Sequence, residues 1–129
     1  MPQDRESGAR ASQYGRKCGK KIMDAIGAKS VKAGSNECDL DGKLLSVHCA
    51  HRDVASVGVT YKALERISAV LGAFEQEDGS YLVWRLPADQ YKKLMRNTAS
   101  TGPSRNRVGI VKRVDFERVG TRFTSVPAF

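Results

Sequence analysis

The densest group of chemically capable side chains lies in residues 34–52, GSNECDLDGKLLSVHCAHR. Two of the three cysteines, both histidines and the carboxylates Glu37, Asp39 and Asp41 fall there. Carboxylates are hard oxygen ligands for Mg²⁺ or Mn²⁺, whereas a neutral imidazole is a softer donor. Cys38, His48, Cys49 and His51 are four zinc-capable ligands, but their spacing, C-x9-H-C-x-H, is not a common structural-zinc pattern. A histidine beside Ser46 or Cys49 also has the composition of a nucleophilic dyad, without the G-x-S-x-G elbow that often marks one. The plainer expectation is that Cys38 and Cys49 act as small buried hydrophobes.

The placement of these groups follows from a hairpin. Asp41-Gly42 sits between two strand-like runs, 37–40 and 43–50, and both turn residues tolerate positive φ. In the second arm Leu45, Val47 and Cys49 alternate with Leu44, Ser46 and His48. Side chains alternate across a strand, so Ser46 and His48 share one face while Cys49 takes the other. That parity separates the adjacent His48 and Cys49 and weakens the four-ligand zinc site.

The surrounding elements read as follows. Residues 1–11 are polar and aperiodic and suggest a flexible arm. A helix is predicted from Ser12, with Tyr14, Cys18, Ile22 and Ile26 on its apolar stripe and Gly27 as its stop. Residues 29–33 suit a short strand, and 51–58 read as a loop. Thr60 could cap a second helix, whose stripe would be Val59, Ala63, Leu64, Ile67, Val70, Leu71 and Phe74. Residues 81–86 read as a strand, and Pro87 suits the first turn of a short helix. A flexible loop is expected at 97–106, a strand at 108–114 and a helical turn at 115–119. The tail, 120–129, is aperiodic, and its Phe123 and Phe129 are apolar enough to dock on the domain or on a partner. The expectation is one α/β (α+β) domain over 12–119, with a small central mixed sheet flanked by helices.

Composition bounds the function. The chain has 129 residues, 40% apolar and 28% charged, which suits a single folded domain. It has no apolar run long enough to span a bilayer and no secretory-type N-terminus, so a cytoplasmic protein with reduced thiols and no membrane partner is expected. The net charge is +8, and a basic surface attracts polyanions, of which nucleic acid is the commonest in a cell. Arg16, Lys17, Lys20 and Lys21 fall on the polar face of the first helix, opposed within reach only by Asp24. Arg105, Arg107, Lys112, Arg113, Arg118 and Arg122 form a second basic set. Tyr14, Tyr61, Tyr81, Trp84 and Tyr91 are aromatics that would stack on unpaired bases if exposed. The segment GRKCG, residues 15–19, lacks the phosphate-binding loop sequence.

The predicted order of helix, three strands, helix and strand over residues 12–86, with a hairpin carrying acids in its middle, resembles the core of the PD-(D/E)XK nuclease superfamily. The resemblance implies that Asp39 stands at the metal-binding acid of the second strand. Ser46-Val47-His48 would then occupy the acid-x-Lys position of the third strand, where serine supplies no charged ligand. It implies Asp39 and His48 near a divalent metal, Mg²⁺ or Mn²⁺, with Glu37 or Asp41 assisting. The chain is therefore expected to bind DNA or RNA, as a divergent nuclease or an inactive relative of one. The alternative is a non-catalytic interaction protein or small oligomeric subunit whose charge serves solubility alone.

Overall fold

The computed structural model describes residues 5–31, 36–97 and 108–129, with side chains described from Tyr14 onward apart from Arg16 and Asn97. Helix α1, Arg5–Ile26, carries Tyr14, Cys18, Ile22 and Ile26 at four-residue spacing and buries that stripe on the sheet. It ends at Gly27, whose φ of 78° lets the Ala28 N–H reach back to the Met23 carbonyl at 2.9 Å. Strands β1, Lys29–Ser30, β2, Glu37–Leu40, and β3, Lys43–Ala50, form an antiparallel meander. Asp41 (φ 54°) and Gly42 (φ 78°) make the β2–β3 turn, and both occupy the left-handed region that a two-residue hairpin turn needs.

Strand β4, Ser56–Thr60, leaves this sheet for a second one. Helix α2, Tyr61–Arg66, follows, with the Thr60 hydroxyl accepting the Ala63 N–H at 3.2 Å. The chain then returns as β5, Ala69–Glu75, which runs parallel to β3. After it come β6, Tyr81–Pro87, α3, Ala88–Leu94, β7, Arg96–Asn97, β8, Val108–Lys112, α4, Arg113–Val119, and β9, Thr121–Val126. The larger sheet has the order β1-β2-β3-β5-β6-β9, and β4-β8-β7 form the smaller. The result is a single α+β domain with a mixed six-stranded sheet and four helices among the described residues.

Helix α1 covers one face of the large sheet, burying Cys18, Ile22 and Met23 against Leu45, Val47, Leu71 and Val83. The small sheet and the other helices cover the second face, where Val59, Leu64, Tyr91, Val111 and Phe116 meet Val70, Phe74 and Leu86. The Tyr91 hydroxyl donates to the Gly109 carbonyl at 2.7 Å and lies 3.2 Å from that of Val57, tying β8 to β4.

The structure corrects several expectations. The helix predicted through Phe74 stops at Arg66, and its second half is strand β5. A strand buried on both faces and a buried helix give similar apolar patterns, so periodicity does not separate them. Backbone pairing with β3 and β6 decides for strand. Helix α1 begins at Arg5, inside the expected arm. The 51–58 loop contributes to β4, and the tail supplies the edge strand β9. Residues 98–106 of the expected flexible loop lie outside the described residues.

The thiols differ as well. Cys18 of α1 and Cys49 of β3 form a disulfide with a Cα–Cα separation of 6.3 Å, against the expectation of reduced cysteines. The odd count of three leaves Cys38 free and buried, and burial pushes its thiol up to about 11. Because the bridge closes a sequence separation of 31 residues, the chain-entropy model assigns it roughly 3–4 kcal/mol. Dithiothreitol, or the double variant Cys18→Ser/Cys49→Ser, is expected to lower the denaturation midpoint while leaving the far-UV circular dichroism native. A midpoint unchanged by both would show that the bridge contributes nothing.

Candidate functional site

The parity of β3 is as the sequence implies. His48 Nε2 and Ser46 Oγ lie 3.0 Å apart on the face away from α1. In the β2–β3 register Glu37 stands opposite Ser46, while Asp39 stands opposite Leu44. Glu37, Ser46 and His48 therefore converge, with Asn36, Gly58 and Thr60, on a pocket of about 280 Å³. Arg66 of α2 pairs with Glu37. Burial pushes the His48 imidazole down to about 4, with Glu37 opposing that shift weakly. At pH 7 the ring is neutral and can accept the Ser46 hydroxyl proton. Ser46 is only 1% exposed, so a substrate cannot reach its Oγ in this conformation. The bond satisfies the buried Ser46 hydroxyl and the part-buried His48 ring.

The remaining candidates divide. Asp39 is exposed near the hairpin tip and accepts the Gly42 N–H at 3.1 Å, and Asp41 occupies the turn itself. The structure thus brings Glu37, rather than Asp39, to His48. Among the described residues no three His, Cys, Asp or Glu side chains are grouped closely enough to hold a metal ion. Cys49 is bound to Cys18, and Cys38 packs in the core on the α1 side, so the four-ligand zinc set does not assemble.

His51 belongs to a different cluster. Its ring stacks on Tyr14 with centroids 3.6 Å apart, and its Nδ1 lies 3.2 Å from Glu75 Oε1. The same oxygen accepts the Arg52 N–H at 3.1 Å, and this bond, helped by His51, lowers the Glu75 carboxyl below its ordinary range. The Tyr14 and Tyr81 hydroxyls are 2.6 Å apart, and burial raises both phenols. The cluster knits α1 to β5 and β6 beside the disulfide. Sequence reasoning missed it because its members are separated by tens of residues.

The basic residues also divide. Lys17, Lys20 and Lys21 are exposed on the outer side of α1, and no carboxylate among the described residues pairs with them. Arg16 lies in the same helix. Arg113 pairs with Glu117 at 3.1 Å and Arg118 with Asp115 at 2.9 Å, so local acids offset half of the described C-terminal set. Lys112 and Arg122 are exposed, and Arg105 and Arg107 lie outside the described residues. Of the aromatics expected to stack on bases, Tyr81 and Tyr91 are buried, and Tyr14, Tyr61 and Trp84 are half-buried. The exposed rings are Phe123 and Phe129.

The chain matches no known protein family, and no curated protein or solved structure is similar enough to count as a match. Among the described residues no helix is long and apolar enough to cross a membrane.

The lowered His48 pKa makes a pH prediction. Above the ordinary value of 6.5 the ring is neutral in both folded and unfolded chains and adds no slope. As pH falls from 6.5 toward 4, the unfolded chain takes up the proton first and stability drops. Because the ring is only half-buried, solvent screening keeps the total loss below roughly 3 kcal/mol. Urea melts across this range should show a shallower decline for His48→Gln than for the wild type. Equal slopes would place the imidazole in a water-like environment.

Proposed function

We propose that the protein binds nucleic acid through the outer face of α1, as a binding domain rather than a cleaving one. The observation that carries this reading is the exposed run Lys17, Lys20 and Lys21, which forms no ion pair among the described residues and outnumbers the one acid beside it, Asp24. The helix is fixed beneath it by the Cys18–Cys49 bridge and a buried apolar stripe, so the charges sit on a firm support. A rigid row of cations lowers the entropy lost on engaging a phosphate backbone.

Support for the nuclease resemblance is limited to element order. The order departs from the expected one at two points: β4 precedes α2, and β5 occupies the second half of the expected helix, ahead of the expected strand, β6. The pocket at Glu37 and His48 has one carboxylate, already paired with Arg66, and no lysine among its lining residues. Such a pocket is a poor holder of Mg²⁺, and the reading is accordingly an inactive relative. A cytoplasmic site of action goes with it. There reductants would reach the bridge through the partly exposed Cys49, so the oxidised form would be the less stable one in that compartment.

Fluorescence anisotropy with a labelled oligonucleotide tests the proposal. Affinity is expected to fall steeply between low and moderate salt. Lys17→Glu/Lys20→Glu should reduce the log–log salt slope by roughly 2 on duplex DNA and weaken binding about tenfold or more. Absent or salt-insensitive binding in the wild type would leave the interaction-subunit alternative standing.

A further inference from the structure

A second feature of the α1 surface bears on which form of nucleic acid it takes. In the β6–β9 ladder Val83 pairs with Thr124 and Trp84 with Arg122, so Phe123 is left as the extra residue of a β-bulge. A bulge re-aims a side chain out of the regular alternation. Phe123 is 39% exposed, and with Ala25, Ile26 and residues 124–127 it lines a groove of about 400 Å³ between the end of α1 and the sheet edge. Lys17, Lys21 and Ala25 follow one another at four-residue spacing, about 6 Å per step along the helix. The row of lysines therefore leads into the groove that holds the ring.

Two further details fit the same occupant. Phe129, 54% exposed, rests on Tyr81 with centroids 5.2 Å apart and planes 6° from parallel. Lys21 Nζ lies 4.8 Å from the Phe129 centroid, a cation–π contact that ties the cation to the C-terminal segment. Strand β9 is also an edge of the large sheet, so its outer backbone amides, with the exposed Ser125, offer further hydrogen-bond donors.

A cationic row by itself does not distinguish single strands from duplexes. An exposed aromatic ring in a groove at the end of a cationic row does, because a duplex keeps the faces of its bases stacked on one another, whereas an unpaired base has a free face. We infer that the α1–β9 groove binds single-stranded nucleic acid, with phosphates along Lys17 and Lys21 and an unpaired base stacked on Phe123. This rests on the nucleic-acid reading above and names its substrate class. The site is non-specific in sequence, since every base presents a π-face.

The test uses labelled oligothymidylate, oligouridylate and a duplex of equal length in anisotropy titrations. Both single strands should bind more tightly than the duplex. Phe123→Ala should weaken single-strand binding by roughly tenfold or more with the salt slope unchanged. Phe123→Trp should retain affinity and show fluorescence quenching on binding. The side chain is on the surface, and thermal melts of both variants confirm folding. Equal affinity for duplex, together with a silent Phe123→Ala, would overturn the single-strand inference and leave binding by charge alone. No binding of any probe would overturn the nucleic-acid reading too. Polyglutamate that competes as well as oligothymidylate would overturn the inference in favour of an acidic peptide.

Discussion

Everything in this domain depends on the pairing of β5 between β3 and β6. It is parallel to β3 and antiparallel to β6, and residues 69–74 are buried on both faces. A strand in that position must be apolar on both sides, and Ala69, Val70, Leu71, Ala73 and Phe74 meet that demand. Gly72 meets a further one. A Cβ there would lie 2.9 Å from atoms of both the Phe74 and Phe116 rings, so its absence lets α4 seat Phe116 directly on the sheet. The two layers covering the sheet, α1 on one side and the small sheet with α2–α4 on the other, are held together through this strand.

The chemistry is distributed by those two layers. The face of β3 that meets α1 is apolar and carries the disulfide, whereas the opposite face carries Ser46 and His48 in a partly closed pocket. Burial makes that pocket a poor place for charge, and the His48 imidazole is held neutral accordingly. The lysines without an ion pair among the described residues stand instead on the outside of α1, in water, where they cost little to keep. Of the polar centre that draws the eye in the sequence, Ser46 is buried and Glu37 and His48 are part-buried, whereas Asp39, Asp41 and His51 stay exposed.

Parts of this were legible from residues alone. The hairpin was, because Asp41-Gly42 supplies two positive-φ positions at a fixed point between alternating runs. The register that follows placed Ser46 with His48 and away from Cys49. The body of α1 was legible from its four-residue stripe and its glycine stop. The span from Thr60 to Phe74 was not, because an apolar pattern compatible with a helix was divided between a short capped helix and a doubly buried strand. The tail was not legible either, since an edge strand with one weakly buried face, interrupted by a bulge at Phe123, has no clean period.

The sequence by itself determined local conformation and the inventory of charge: where the chain turns, which helix face is apolar, and that cations exceed acids. Those properties depend on residues within a few positions of one another. Only the tertiary structure decided that Cys18 meets Cys49, that Glu37 rather than Asp39 joins His48, that His51 stacks on Tyr14, and that Phe123 lines a groove with the end of α1. Each of these contacts joins separate elements whose relative placement follows from strand pairing and layer packing, and that information is spread over the whole chain.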